Sequence, residues 1–190
     1  MGSGTDLRQW AITSQRHTKT SAEMRDQMQR GWKSGLGDGT ACGRGSTISS
    51  TRLIRGWLPD LVERHGCKVV CDAGAGDLHW MSRVQWSVSY LPFDLVPRHE
   101  AVRPIDITTE HLPACDLILC RFVLNHLDRV RVRQALALFR DSGRLLLATH
   151  FPGGGQCYPD FTAYDLREFD LGEPLELLPD TDGWAGLWQL

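Results

Sequence analysis

The chain has 190 residues, 42% of them hydrophobic and 23% charged, with a formal net charge of -2 at neutral pH. That is length enough for one domain with a proper core, and the composition is ordinary for a soluble globular protein. No apolar stretch approaches the roughly 20 residues that a membrane helix needs, and no signal peptide is expected at its start, so the sequence reads as cytoplasmic with no membrane partner.

Six cysteines, at positions 42, 67, 71, 115, 120 and 157, form no C-x-x-C pair and no Cys/His cluster at zinc spacing. No metal site is expected, and Cys71, Cys115 and Cys120 read as reduced core thiols in or beside strands. Charge is uneven along the chain. Residues 1–57 hold nine Lys/Arg against four Asp/Glu, net +5, and the remainder holds twelve against nineteen, net -7. A basic arm before an acidic body suits either an anionic partner or a solvated leader. No dense Lys/Arg run and no nucleic-acid motif supports nucleic-acid binding.

Residues 1–31 are polar, with a flexible leader at Met1-Gly-Ser-Gly4 and a helical pattern from Ser21 to Arg30. Gly35 to Ser50 is a Gly/Ser/Thr-rich loop, longer than the roughly 12–15 residues that compact domains usually leave without structure. It reads as a lid or as a mobile linker, with Arg44, Ser46 and Thr47 able to fold over a bound ligand. A phosphate-binding P-loop is not expected, since the Lys-Ser/Thr ending and the preceding strand are missing. Residues 1–50 therefore form an arm and loop, and 51–190 the folded domain.

From Thr51 onward, Leu53, Ile54, Trp57, Leu58, Leu61 and Val62 recur at helical spacing. Ser49 or Ser50 is the expected cap, Gly66 the end, and Pro59 implies a kink or a late start. Lys68 to Asp72 reads as a strand. The glycine-spaced turn Asp72-Ala-Gly-Ala-Gly-Asp77 follows, where Gly74 and Gly76 allow the backbone to pass close to a ligand. A helix is expected from Asp77 to about Val84, so this is the shape of a nucleotide-cofactor loop at a strand's carboxyl end.

Ser87 to Asp94 reads as the second strand, and a short third strand precedes Asp106. Asp116 to Arg121 is a continuous apolar strand of the kind buried on both faces. Val130 to Arg140 is an amphipathic helix, and Arg144 to Thr149 the fifth strand. Leu175–Leu178 and Trp184–Leu190 flank Pro179-Asp-Thr-Asp-Gly183, turn chemistry for an antiparallel pair. The alternation predicts a three-layer α/β architecture.

These motifs resemble the class I S-adenosylmethionine-dependent methyltransferases. Asp72-Ala-Gly-Ala-Gly-Asp77 is similar to their glycine motif, and Asp94 stands where an acidic residue meets the ribose hydroxyls. A carboxylate suits that position because it accepts two hydrogen bonds from a diol. Gly-Arg-Gly-Ser-Thr47, Asp-Leu-His-Trp-Met81, Phe-Asp-Leu-Val-Pro97, Leu-Ile-Leu-Cys-Arg121, Asn-His-Leu127 and Leu-Trp-Gln-Leu190 resemble, more narrowly, a poorly characterised methyltransferase-like group. The match runs from about Trp32 to Leu190.

The resemblance implies a Rossmann-like three-layer sandwich, a mostly parallel sheet with an antiparallel C-terminal hairpin, and S-adenosylmethionine as cofactor. The implied cofactor residues are Asp72, Gly74, Gly76, Asp77, Asp94, Leu95, Asp106, Ile107 and Cys120. One departure stands out: the narrower group places an aspartate after the arginine that follows the fourth strand, where this chain has Phe122. Methyl transfer itself needs little base, and alignment alone can supply roughly 7–11 kcal/mol in favourable cases.

His126 is the expected general base, Asn125 would orient the acceptor, and Arg121 would hold an anionic group. The alternative is that Asn125 or Asp128 caps the next helix while His126 is a satisfied packing residue. His150 is a second candidate base. Asp77 reads either as a helix cap or as a ligand contact, Asp106 as a contact or a plain turn, and Trp80 as core or as a stacking ring. Trp57 reads as core.

The expected activity is methyl transfer to an oxygen or nitrogen of a small molecule, a sugar-like metabolite or a modified nucleobase. Neither the Asn/Asp-Pro-Pro-aromatic tetrapeptide of amino-directed nucleic-acid methyltransferases nor the Pro-Cys pair of cytosine C5 enzymes is present. Phe122 favours a second reading, a catalytically silent binding or scaffold protein. An NAD oxidoreductase is disfavoured by the incomplete G-x-G-x-x-G and the antiparallel tail.

Overall fold

The computed structural model describes residues 21–29, 38–155, 157–158 and 161–190, so the leader and most of the basic arm lie outside the described residues. Helix α1 spans Ser21–Gln29, α2 Arg52–Arg64 and α3 Arg129–Ser142. The strands are β1 Val69–Ala73, β2 Ser89–Asp94, β3 Arg103–Pro104, β4 Cys115–Cys120, β5 Gly143–His150, β6 Cys157–Tyr158, β7 Phe161–Thr162, β8 Glu176–Asp180 and β9 Gly183–Gln189.

Seven strands form one sheet in the order β3-β2-β1-β4-β5-β9-β8. β1 to β5 are parallel, β9 runs antiparallel to β5, and β8 antiparallel to β9. The short β6–β7 hairpin stands apart and was not foreseen. Strand residues alternate between two apolar clusters, as a sheet buried on both faces requires. On one face Cys71, Ile118, Cys120, Leu146 and Trp188 meet Val132, Leu136 and Phe139 of α3. On the other, Val70, Leu117, Leu119, Leu145 and Leu187 meet Ile54, Leu58 and Leu61 of α2. The result is three layers. Each fully buried Leu or Phe on these faces contributes about 1.5–3 kcal/mol.

Helix ends follow local chemistry in one case and not in another. Asp128 caps α3, its Oδ1 accepting from Val130 N at 2.9 Å and Arg131 N at 3.1 Å. At α2 the N-cap is Thr51, with no side-chain cap bond, because Thr51 Oγ1 donates backward to Thr47 O at 2.9 Å. Ser50 instead donates its N–H to Thr47 Oγ1 at 3.1 Å, so neither predicted serine caps the helix. α2 runs through Pro59 without a late start, and Gly66 follows it at φ 61.

The largest correction falls after the glycine turn. No α-helix runs from Asp77 to Val84; a single 3₁₀ turn, Met81–Arg83, takes its place. Leu78 adopts φ 57, a left-handed conformation that a helix cannot contain. Asp77, which would have served the first helical turn, is drawn away by contacts from residues 40 and 41.

Candidate cofactor and acceptor site

The carboxyl ends of β1, β2 and β4 open on a cavity of about 470 Å³, within the range of small-molecule sites. Its walls include Gly74, Gly76, Asp94, Leu95, Asp106, Ile107, Arg121 and His126 from the sequence-predicted set. Asp72, Asp77, Cys120 and Asn125 do not line it.

The turn after β1 is knitted to the end of β2. Gly74 N and Ala75 N both donate to Phe93 O, at 2.8 and 2.9 Å. Gly76 N donates to Asp94 Oδ2 at 2.9 Å, and Val96 N to Asp94 Oδ1 at 2.9 Å. The turn therefore offers a ligand close backbone approach rather than free amides. Gly74 (φ 119) and Gly76 (φ 60) both need their missing side chain: an added Cβ would stand 2.1 Å from Val123 Cγ2 and 2.5 Å from Cys42 Sγ, respectively. Burial raises the Asp94 pKa, opposed by the Val96 and Gly76 amides. Two carboxylate oxygens offer about four lone-pair sites, more than the Gly76, Val96 and Leu95 amides occupy.

Asp106 sits in a turn as well as in the wall. Its Oδ1 accepts from Thr108 N at 3.0 Å and Thr108 Oγ1 at 2.6 Å, so the contact and turn readings of this residue are compatible. Behind the wall, Asp72 is 4% exposed and accepts from Tyr90 Oη at 2.5 Å. Burial, with the Asp94 charge adding to it, pushes its pKa up to about 7, against the Tyr90 bond. Cys120 is buried, and burial raises its thiol pKa.

Asp77 neither caps a helix nor reaches the cavity. Its Oδ2 accepts from Thr40 Oγ1 at 2.9 Å and Ala41 N at 2.7 Å, and its Oδ1 from His79 N at 3.1 Å. The described part of the Gly/Ser/Thr-rich loop is thus a strap across the site, contributing Cys42, Gly43, Arg44, Gly45 and Ser46 to the wall. Burial, with the nearby Asp77 charge, pushes the Cys42 pKa up to about 12. Arg44 is exposed, and its guanidinium has no hydrogen bond or ion pair among the described residues.

The predicted catalytic residues separate. His126 lies in the wall, half-buried and edge-on to Phe161 at 5.8 Å. Asn125 is turned away: Nδ2 donates to Thr162 O at 2.8 Å, and Oδ1 is buried with no hydrogen-bond partner among the described residues. Arg121 is committed to Asp180 and to the strap. His150, the second candidate base, is 1% exposed, accepts from Leu166 N through Nδ1 at 3.2 Å and packs edge-on against Trp188. Burial lowers its pKa, so it is a packing residue outside the cavity wall. Trp80 and Trp57 both belong to the α2-side core, Trp80 buried and Trp57 packed at its edge.

Sequence reasoning missed an aromatic wall. Phe122, Phe151 and Phe161 line the cavity, with Phe161 5.7 Å from Phe151 and 6.4 Å from Phe122. Phe122 holds φ 52, uncommon for a bulky residue, and its N–H donates to Thr149 Oγ1 at 2.8 Å. Arg98 and Arg131 also reach the wall. No periodicity marks these positions, because Arg98, Phe122 and Phe151 come from the segments after β2, β4 and β5, Phe161 from β7 and Arg131 from α3. Among the described residues no helix is long and apolar enough to cross a membrane, and no group of His, Cys, Asp and Glu is placed to hold a metal ion.

No protein-family model matches the sequence, and no curated protein matches it significantly. Solved structures do match. The pyocyanin biosynthetic protein PhzM aligns with a TM-score of 0.56 at 13% identity, over 75% of this chain and 56% of its own. Human N-acetylserotonin methyltransferase, in complex with SAM, gives 0.52 at 12% identity over 75% and 53%. This is the class I methyltransferase fold. A third structure, the O-methyltransferase NcsB1 from neocarzinostatin biosynthesis with S-adenosylhomocysteine and 1,4-dihydroxy-2-naphthoic acid, gives 0.51 at 12% identity over 77% and 60%. The chain spans little more than half the length of these methyltransferase-fold structures.

Proposed function

We propose that this chain binds S-adenosylmethionine in the 470 Å³ cavity and transfers its methyl group to an oxygen or nitrogen of a small-molecule acceptor. The observation that carries the reading is Asp94: a buried carboxylate at the end of β2, fixed by the Gly76 and Val96 amides and part of the cavity wall. That is the donor-seeking surface a ribose diol fits.

Leu95, Asp106 and Ile107 would hold the adenine, and Gly74 and Gly76 would give the methionine portion close passage over the backbone. Arg44, without a partner on the strap, is suited to its carboxylate. Asp72, Asp77 and Cys120 act indirectly in this reading, through Tyr90, the strap and the core. The sulfonium supplies an already activated methyl group. His126 would take the acceptor's proton as the new bond to the methyl carbon forms and the sulfur–carbon pair stays on sulfur. Phe122, Phe151 and Phe161 would exclude water from that end of the cavity.

Calorimetric titration with S-adenosylhomocysteine tests the reading. Wild type is expected to bind, and Asp94→Ala to lose at least about tenfold in affinity, the order of one lost charge-assisted hydrogen bond. No heat from wild type at high micromolar ligand would refute it. A second reading, a catalytically silent binding or scaffold protein, is favoured by the engagement of Arg121 and Asn125 elsewhere and by Phe122 in place of a carboxylate. Binding without turnover on any acceptor would favour that reading.

A further inference from the structure

Arg121 leaves the end of β4 and meets Asp180 at the end of β8, 59 residues later. The two side chains are 7% and 1% exposed, so the pair is buried. Arg121 Nε donates to Asp180 Oδ2 at 2.7 Å and Nη2 to Oδ1 at 3.1 Å. Nη1 donates to Gly45 O, and Nη2 reaches Ser50 O at 3.5 Å. The flat face of the guanidinium lies 4.7 Å from the Phe122 ring centre and 5.7 Å from that of Trp80. Only a planar fork with several fixed donors can address two carboxylate oxygens and two carbonyls at once.

Burying an ion pair is a poor way to gain stability, because desolvation offsets most of the attraction. What this pair does instead is grip the chain at Gly45, within the strap, and at Ser50, just past it. The strap's other fixings lie on both sides of it: Asp77 accepts from Thr40 and Ala41 before it, and after it Ile48 N donates to Asp38 Oδ2 at 2.8 Å while Ile48 O accepts from Arg55 Nη2 at 2.9 Å. Between these fixings sit the five residues that wall the cavity.

We propose that the Arg121–Asp180 pair is a positioning unit that holds the Cys42–Ser46 strap as a wall of the cavity, so that the β8–β9 hairpin governs how firmly the cavity is closed. The strap's order does not depend on what the cavity binds. Its effect on ligand release rests on the cofactor reading above.

The test uses the full chain as wild type, Asp180→Asn and Arg121→Lys, followed by amide hydrogen exchange and by the dissociation rate of S-adenosylhomocysteine. Asp180→Asn keeps size and one acceptor, and the β5 amides of Leu146 and Leu147 report global stability. Exchange at Ser46 and Thr47 should rise on the order of tenfold more than any rise at Leu146 and Leu147 in both variants. S-adenosylhomocysteine should leave Asp180→Asn faster by a similar factor, with its association rate unaltered, a split that merely lowered stability would not produce. Arg121→Lys keeps the charge but cannot span Asp180 and Gly45 together, so loosening there assigns the grip to the fork. Strap exchange that stays at the wild-type rate in Asp180→Asn, or rises only in step with β5, overturns the proposal. Failure of wild type to bind S-adenosylhomocysteine overturns the cofactor reading instead, and the exchange rates alone then decide the positioning role.

Discussion

Asp72→Asn should make the protein more stable at alkaline pH and flatten its pH dependence. Asp72 is 4% exposed, with Tyr90 Oη 2.5 Å away and the Asp94 carboxylate nearby, and burial raises its pKa to about 7. In the unfolded chain the same group titrates near the usual carboxylate value of about 3.9. Between those two values the folded state holds the proton that the unfolded state releases, so stability falls as pH rises and levels off above about 7. The interval sets an upper bound of about 4 kcal/mol on that fall. Asparagine is neutral throughout and can still accept from Tyr90. Urea unfolding of both proteins at pH 5 and pH 8 measures the effect. Wild type should lose at least about 1–2 kcal/mol more than Asp72→Asn across that range. Parallel behaviour of the two, or a wild type that gains on the variant at pH 8, would refute the argument that Asp72 is a buried, proton-holding carboxylate.

Three further outcomes are expected. Gly76→Ala should lose about 1–3 kcal/mol in denaturant midpoint experiments, since its Cβ meets Cys42 Sγ at 2.5 Å and its φ is 60. Adding Cys42→Ala should recover the steric share but not the backbone share, so a double variant no better than the single one would count against this account. His150→Ala should lower thermal stability, by about 1–3 kcal/mol, by orphaning Leu166 N–H, and leave S-adenosylhomocysteine affinity in place. His126→Ala should do the reverse of a stability variant, melting near wild type while slowing methyl transfer to any acceptor found.

Most of the sheet was readable from the chain because its signals are local. The unbroken apolar run Leu117-Ile-Leu-Cys120 could only be a strand buried on both faces, and it is β4 at the centre of the sheet. The Pro179–Gly183 turn likewise announced the β8–β9 hairpin. The expected helix after Gly76 failed because its start signal, Asp77, answers to a partner 36 residues upstream. Left-handed Leu78 carries no sequence mark either.

The site divides in the same way. Gly74, Gly76 and Asp94 were legible because a strand, a turn and a strand end fix them within 20 residues of each other. Arg121 was singled out for its chemistry, yet its true counterpart, Asp180, looked like an ordinary turn residue 59 positions away. Asn125 and His150 lie outside the cavity wall, and the sequence could not tell this for a related reason. Nothing local says whether a polar side chain beside a strand end turns toward the opening or back to a neighbouring carbonyl or amide.

Phe122 holds a backbone shape that asparagine, aspartate and glycine adopt far more readily, and a single threonine hydroxyl helps to keep it there. The ring has therefore been fitted to this corner against the chain's own torsional preference. Exchange for aspartate would relax the bend and, in the same stroke, hang an acid on the rim beside His126. The fold thus stands one side chain away from an acid at this corner, at the expense of the ring's contacts with Arg121 and Phe161.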